Sequence, residues 1–416
     1  MNKQDLTLLT DLYELTMMQG YYKKGQHETV VFDVFYRHNP CGNGYSVCAG
    51  LDQVIDYIKN LNFTYEDVDY LRSLHIFDDD FLQYLSGFHF TGDIYAIPEG
   101  SVVFPKEPLL KVIAPIMEAQ LVETTILNLI NHQSLIATKT SRVVYAADGD
   151  GIMEFGLRRA QGPDAGLYGA RAAIIGGCVG TSNVLAGQLF DVPVMGTHAH
   201  SWIMTFPDEY TAFKYYAELY PDNCTLLVDT YDTLKSGVPN AIRVFQEFKD
   251  AGKPLKKYGI RLDSGDLAYL SKKARKMLDE AGFPDASICA SNDLDEYLLH
   301  DLKAQGAAIN SWGVGTHLIT SKDCPSFGGV YKLSAIKNEN GEFIPKIKIS
   351  ENTEKITNPG NKTIYRVYEK ETGKIKADLI CFADETFDES QDLLLFDPLE
   401  TWKKTKLAGG TYTMRE

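Results

Sequence analysis

The sequence predicts an α/β protein: an irregular (β/α) barrel beside a second, β-rich α+β domain built from both chain ends. Three observations carry this reading. From about residue 150, short apolar or β-branched runs alternate with amphipathic stretches at spacings of about twenty to thirty residues, the repeat of right-handed βαβ crossovers. About seven or eight such units in series favour a barrel over an open sheet. Before and after that region the chain turns to short strands cut by prolines and polar turns. The expected division is 1–125 for the N-terminal domain, 126–335 for the barrel with most of the functional residues, and 336–416 for a segment packing back on the first.

Taken in order, Thr10 or Asp11 can cap a helix that runs through Met17 and Met18 to Gly20. Thr29–Arg37 alternates as a strand and ends in the turn Asn39-Pro40-Cys41-Gly42-Asn43-Gly44, before a helix around Leu51, Val54, Ile55 and Ile58. Short strands come next at Ile94–Ile97, Val102–Phe104 and Leu109–Ile113, then a long helix with Leu121, Ile126, Leu129 and Ile130 at helical spacing. The barrel strands are expected at Ile152–Phe155, Val192–Met195, Thr225–Val228, Tyr258–Leu262, Ser287–Ala290, Ile309–Val314 and Val330–Leu333. Asp266 should cap a helix that Gly282 ends, and Asp293, with Glu296 three residues on, should start another that Gly306 ends. Lys346–Ile349 and Lys374–Ile380 read as strands of the tail.

Composition excludes several classes. A formal net charge of -15 argues against a general nucleic-acid binder, which needs a basic face. No apolar run reaches the ~18 residues of a membrane span, and Met1-Asn2-Lys3-Gln4-Asp5 lacks the basic and apolar regions of a signal peptide. The seven cysteines are scattered, with no zinc-knuckle spacing, and read as reduced thiols of a cytoplasmic protein. An acidic chain that binds a polyphosphate must do so through a local basic cluster.

Such a cluster is legible at the strand ends, the face on which α/β barrels carry their sites. Phe155 leads to Gly156-Leu157-Arg158-Arg159, Val179 to Gly180-Thr181-Ser182-Asn183, and Met195 to Gly196-Thr197-His198-Ala199-His200-Ser201. Val228 leads to Asp229-Thr230-Tyr231-Asp232, Ile260 to Arg261-Leu262-Asp263-Ser264-Gly265-Asp266, and Val314 to Gly315-Thr316-His317. Gly313–Thr316, with Arg158, Arg159 and Arg261, can cradle an anion, and the amides of Ser264-Gly265-Asp266 can meet a second phosphate. Asp229, Asp263 and Asp266 can hold Mg²⁺ or sugar hydroxyls, although any one of them is equally an N-cap. Of the two imidazoles, His198 reads as structural. His200, next to hydroxyls beyond a strand end, reads as a neutral nucleophile toward phosphorus.

Five of these segments together resemble the nicotinate phosphoribosyltransferases: Thr10–Met17, Glu154–Arg159, Gly196–Ser201, Arg261–Asp266 and Gly313–Thr316. The likeness runs in register from about residue 7 to 335. It implies a type II phosphoribosyltransferase: a homodimer with active sites at the interface that joins nicotinate to 5-phosphoribosyl 1-diphosphate (PRPP), coupled to ATP hydrolysis and using Mg²⁺. By position, His200 is the histidine that ATP phosphorylates, and Tyr13 and Phe155 sandwich the pyridine, Tyr13 from the partner subunit. Thr197 and Arg261 contact nicotinate, and Thr316 the ribose phosphate. The candidate catalytic residues are thus His200, Arg261 and Asp263. Candidate substrate contacts are Tyr13, Phe155, Arg158, Thr197, Ser201, Asp229, Ser264, Gly265, Asp266, Gly315 and Thr316. A related family that uses nicotinamide places an aspartate in the loop matching Thr181-Ser182-Asn183; this chain has none there, which favours a carboxylate substrate. The alternatives are a nicotinamide or quinolinate phosphoribosyltransferase, or a silent barrel that binds phosphometabolites.

Overall fold

The structure, a computed structural model, describes residues 5–352, 355–397 and 400–416; the stretch Met1–Gln4, where a targeting signal would begin, lies outside them. The chain forms two compact units, one running up to Asn131 and resuming at Phe327–Glu416, the other His132–Ser326.

The first unit is built on a five-stranded antiparallel sheet ordered Phe343–Pro345, Gly329–Lys337, Thr29–Tyr36, Leu110–Pro115, Asp93–Ala96. Thr29–Tyr36 is central, and Val30, Val31 and Val34 are wholly buried. Val330–Leu333 therefore belongs here and not to the barrel. Inner strands of a parallel sheet are apolar on both faces, whereas this run interleaves the buried Tyr331 with Lys332, as an antiparallel strand does. Phe32 stacks on its diagonal neighbour Tyr331 across the two strands, with ring centroids 4.6 Å apart. The tail adds a three-stranded sheet, Ile375–Phe382, Lys362–Glu369, Tyr412–Arg415, tied to the central strand by the buried pair Lys362 Nζ–Asp33 Oδ2 at 2.7 Å. Lys346–Ile349 is not a strand: Lys348 N–H turns to the Thr357 hydroxyl (3.1 Å) and Ile349 is exposed, so the strand stops at Pro345. The first helix runs Leu12–Lys24, past Gly20, and ends at Gly25 in the left-handed region (φ 63°).

One feature of this unit makes its stability pH-dependent. Arg366 holds Asp378 through two bonds of 2.8 and 2.7 Å, and the buried Glu107 hydrogen-bonds to the same Asp378. Burial first, and then that shared carboxylate, push Glu107 up to about 9 from 4.5. Between those values the folded chain holds a proton that the unfolded chain releases. The stabilisation is present below the lower value and lost as pH rises through the upper, by at most about 1.4 kcal/mol per pH unit. Glu107→Gln should flatten the fall of Tm between pH 5 and 9; a parallel slope in the variant would exclude Glu107 as its source.

The second unit holds six parallel strands ordered Gly180–Thr181, Gly151–Glu154, Ser311–Val314, Ser287–Ser291, Tyr258–Leu262, Cys224–Leu227. This curled parallel sheet with helices is the irregular α/β barrel expected. Val192–Met195 adds only the bridge Thr181↔Val194, because Pro193 has no N–H to extend a ladder. Ile260, Leu262, Ile288, Cys289, Ala290 and Trp312 are buried, and the consecutive run Ile288–Ala290 shows the two-faced burial of an inner parallel strand. Helix Leu267–Glu280 starts where Asp266 accepts from Tyr269 N–H (2.9 Å), and it buries Leu267, Ser271, Ala274 and Leu278 at helical spacing. Asp293 is not a cap. It and Asn292 are left-handed (φ 32° and 93°), so the helix Glu296–Ala304 begins later, capped by Asp295 accepting from Leu298 N–H at 2.8 Å. Among the described residues no helix is long and apolar enough to cross a membrane.

Candidate active site

Because the six strands are parallel, their C-terminal residues all emerge at one edge, and a cavity of about 590 Å³ opens there. Every residue lining it comes from the second unit. Phe155, Arg158, Thr197, His200, Arg261, Asp263, Gly315 and Thr316 line it together. Ser201, Asp229, Ser264, Gly265 and Asp266 lie outside the lining. Tyr13 is a half-exposed residue of the first unit, on Leu12–Lys24.

Arg261 organises the floor. Its guanidinium donates to Thr197 Oγ1 at 2.7 Å, to Asp263 Oδ1 at 2.8 Å, and through Nε to Ser291 Oγ at 2.9 Å. The planar fork reaches three loops because Arg261 sits in a mid-sheet strand, with Leu227 and Cys289 as register neighbours. Asp263 also accepts from the Ser291 hydroxyl. Burial alone would raise the Asp263 pKa, but the hydrogen bonds from Ser291 and Arg261 and the charge of Arg261 hold it below the usual carboxylate value, so it stays ionised. Behind it, Asp229 Oδ2 accepts from Asp263 N–H and from Ser264 Oγ, each at 2.7 Å. Asp229 thus fixes the Asp263 turn from below.

His200 opens the helix His200–Met204, its side chain two-fifths exposed. Nδ1 lies 3.0 Å from Thr230 Oγ1, and Nε2 lies 3.7 Å from Asp263 Oδ2, beyond hydrogen-bond range. One nitrogen is held and the other faces the cavity. His198 differs: it is buried, packs edge-on to Tyr216 at 4.6 Å, and accepts from Leu227 N–H at 3.3 Å. Burial pushes it down to about 4, so it is neutral at physiological pH and structural in role.

Phe155 lies over Gly313, where an added Cβ would stand 2.4 Å from the ring carbon Cδ2. Glycine there is a packing requirement that places an aromatic face in the wall. Arg158 and Arg159, on the short turn Leu157–Arg159, are exposed, and among the described residues neither has an ion-pair partner. They are free to meet an anion.

The lining also includes Ser291, Asn292 and Asp293, and Thr230 holds His200 from outside it; none of these four is among the site residues expected from the sequence. The signal was present: Ser287–Ala290 reads as a strand, and the residues just past its end are Ser291-Asn292-Asp293. Among the described residues no cluster of three or more His, Cys, Asp or Glu side chains is placed to hold a metal ion. Asp229 Oδ1, however, is buried without a hydrogen-bond partner, which suits a cation that brings most of its own oxygen ligands.

Comparison with known proteins gives a consistent result along the chain. Residues 8–131 match the nicotinate phosphoribosyltransferase N-terminal domain, residues 151–372 the nicotinate phosphoribosyltransferase family model, and residues 361–416 its C-terminal domain. The chain is 52% identical to a nicotinate phosphoribosyltransferase of Bacillus subtilis over 95% of its own length and 80% of the relative's. It is 38% identical to one from Caenorhabditis elegans, over 97% and 82%. Its structure is similar to that of human nicotinic acid phosphoribosyltransferase, with a TM-score of 0.83 and 30% identity over 97% and 87% of the two chains.

Proposed function

The chain belongs to the nicotinate phosphoribosyltransferase family, and we propose the roles its residues play in that reaction. It transfers 5-phosphoribosyl from PRPP to nicotinate, giving nicotinate mononucleotide and diphosphate, the entry of nicotinate into NAD salvage. The observation that carries the residue assignment is Arg261 joined to both Thr197 and Asp263 in one chamber with His200 and Phe155.

Nicotinate is a flat anion. Its ring stacks on Phe155, and its carboxylate meets the guanidinium of Arg261 and the hydroxyl of Thr197. The phosphate of PRPP lies on the backbone of Gly315 and the Thr316 hydroxyl, and Arg158 draws the diphosphate. As diphosphate departs, positive charge develops on the ribose, and the ionised Asp263 stabilises it. Asp229 and Asp263 would hold a Mg²⁺ ion, which when bound neutralises phosphate charge. Coupling to ATP runs through His200. A homodimer completes the site with Tyr13 of the other copy, in keeping with the exposure of Leu12, Tyr13 and Met17 on one helix. The free cysteines suit a cytoplasmic enzyme.

Turnover of nicotinate, nicotinamide and quinolinate at equal PRPP tests the substrate assignment: nicotinate should exceed the others by a wide margin, and equal use of nicotinamide would overturn it. Gly313→Ala tests the pyridine wall. The new methyl must displace the Phe155 ring, so KM for nicotinate should rise about tenfold, roughly 1.4 kcal/mol, while KM for PRPP changes little. Equal rises for both substrates would place Phe155 elsewhere.

A further inference from the structure

Behind the Phe155 wall lies a carboxylic acid that the mechanism above does not use. Glu154 is the last residue of the strand Gly151–Glu154 and has no solvent exposure. Its Oε2 accepts from Thr181 Oγ1 at 2.6 Å, and its Oε1 accepts from the N–H of Gly156. Thr181, equally buried, is its register neighbour on the adjoining parallel strand and in turn accepts from Asn183 N–H at 3.0 Å. Asn183 continues the chain of bonds, donating to Gly166 O at 3.1 Å and accepting from Ala186 N–H, also at 3.1 Å. The backbone adds Ser182 N–H to Glu154 O at 2.9 Å and Phe155 N–H to Val314 O at 2.8 Å.

This one side chain therefore bonds to both walls of the same end of the cavity. On one side it holds the turn after Phe155, which leads to Arg158. On the other it holds Thr181, which precedes the lining residue Ser182. Gly156 cannot carry a side chain to do this itself, since a Cβ would stand 2.5 Å from Ile319 and 2.9 Å from Glu154 Oε1.

We propose that Glu154, acting through Thr181, is a positioning residue for pyridine selectivity: it sets the separation of the Phe155 wall from the Ser182 loop, and so the slot that nicotinate enters. The sequence places no acid in the Thr181-Ser182-Asn183 loop, yet the fold brings one directly behind it. Both of its oxygens are occupied by donors from the protein, so it presents no acceptor to the slot. Burial pushes its carboxyl up, and the hydrogen bonds from Thr181 and Gly156 pull against that shift.

The proposal rests on the reading that the pyridine lies against Phe155, and the test separates the two. KM and kcat for nicotinate, KM for PRPP, and the ratio of nicotinate to nicotinamide turnover are measured for the parent enzyme and for Phe155→Ala, Glu154→Ala, Glu154→Gln, Thr181→Val and Thr181→Ser. Glu154→Ala and Thr181→Val should each raise KM for nicotinate about tenfold or more, narrow the nicotinate preference, and leave KM for PRPP within about twofold. Glu154→Gln keeps an acceptor for Gly156 N–H and Thr181→Ser keeps the hydroxyl, so both should restore the nicotinate KM to within about threefold of the parent. Thr181→Val serves where Glu154→Ala does not fold. If Phe155→Ala leaves the nicotinate KM unchanged, the pyridine is not at this wall and both readings fall. If Phe155→Ala raises it while Glu154→Ala or Thr181→Val does not, or raises both substrates' KM alike, Glu154 is merely structural and the proposal alone falls.

Discussion

A His200→Ala enzyme incubated with ATP and Mg²⁺ should carry no acid-labile, base-stable phosphate, whereas the parent should carry it. The geometry gives the reason. Thr230 Oγ1 stands 3.0 Å from Nδ1, and with the proton on Nδ1 it accepts that N–H and leaves the Nε2 lone pair uncommitted. The nearest carboxylate oxygen, 3.7 Å away on Asp263, is too far to engage Nε2 yet close enough to stabilise a cation on the ring. In the proposed coupling step, Nε2 attacks the γ-phosphorus of ATP; a P–N bond forms, the bond to the bridging oxygen breaks, and ADP leaves with the electron pair. Without the imidazole the proposed nucleophile is gone, so the ATP-stimulated part of kcat should fall on the order of 10³-fold or more. The ATP-independent rate should fall far less, because Arg261, Asp263 and Phe155 remain. Thr230→Val should give an intermediate loss by freeing the ring to rotate. Radiolabel from γ-labelled ATP that persists in His200→Ala would remove His200 from this role.

Much of this site was legible in the sequence, for a physical reason. Parallel strands place all their C-terminal ends on one edge, so polar residues that come just after apolar runs are gathered in space without any knowledge of the loops between them. His200, Arg261, Asp263, Phe155 and Thr316 met by that rule alone. The residues that escaped it depend on side-chain reach or on backbone geometry. Glu154 looks like a polar interruption of an apolar strand, and its bond to Thr181 exists only because Gly180–Thr181 pairs with Gly151–Glu154. Asp293 looks like the first residue of a capping box; the left-handed pair Asn292–Asp293 moves the helix start on and turns those residues toward the cavity. Val330–Leu333 follows the spacing of the barrel strands, but Lys332 beside the buried Tyr331 and the pairing with Thr29–Tyr36 assign it to the other unit. Proline at 193 explains why an apolar run in the right place forms a single bridge.

Arg261→Ala should raise KM for nicotinate by about 10- to 150-fold, the equivalent of the roughly 1.5–3 kcal/mol that hydrogen bonds to a charged group contribute. Two effects add in the same direction. The substrate carboxylate loses its cation, and Asp263, now without the guanidinium 2.8 Å away, faces that carboxylate as an uncompensated negative charge. KM for PRPP should rise much less, since Arg158, Gly315 and Thr316 are untouched. Arg261→Lys should recover little of the loss. A single ammonium can meet Asp263 or Thr197, but it lacks the fork that meets both and Ser291 together. The sign of the pH effect comes from the same contacts. Arg261 is one of the groups holding Asp263 below its usual range, so removing it raises that pKa, and the acidic limb of the kcat profile should move to higher pH. Steady-state kinetics in both substrates from pH 5 to 9 would check this. An unchanged nicotinate KM would take Arg261 out of the substrate contact. A displaced acidic limb with the KM unchanged would leave it as a support for Asp263 only.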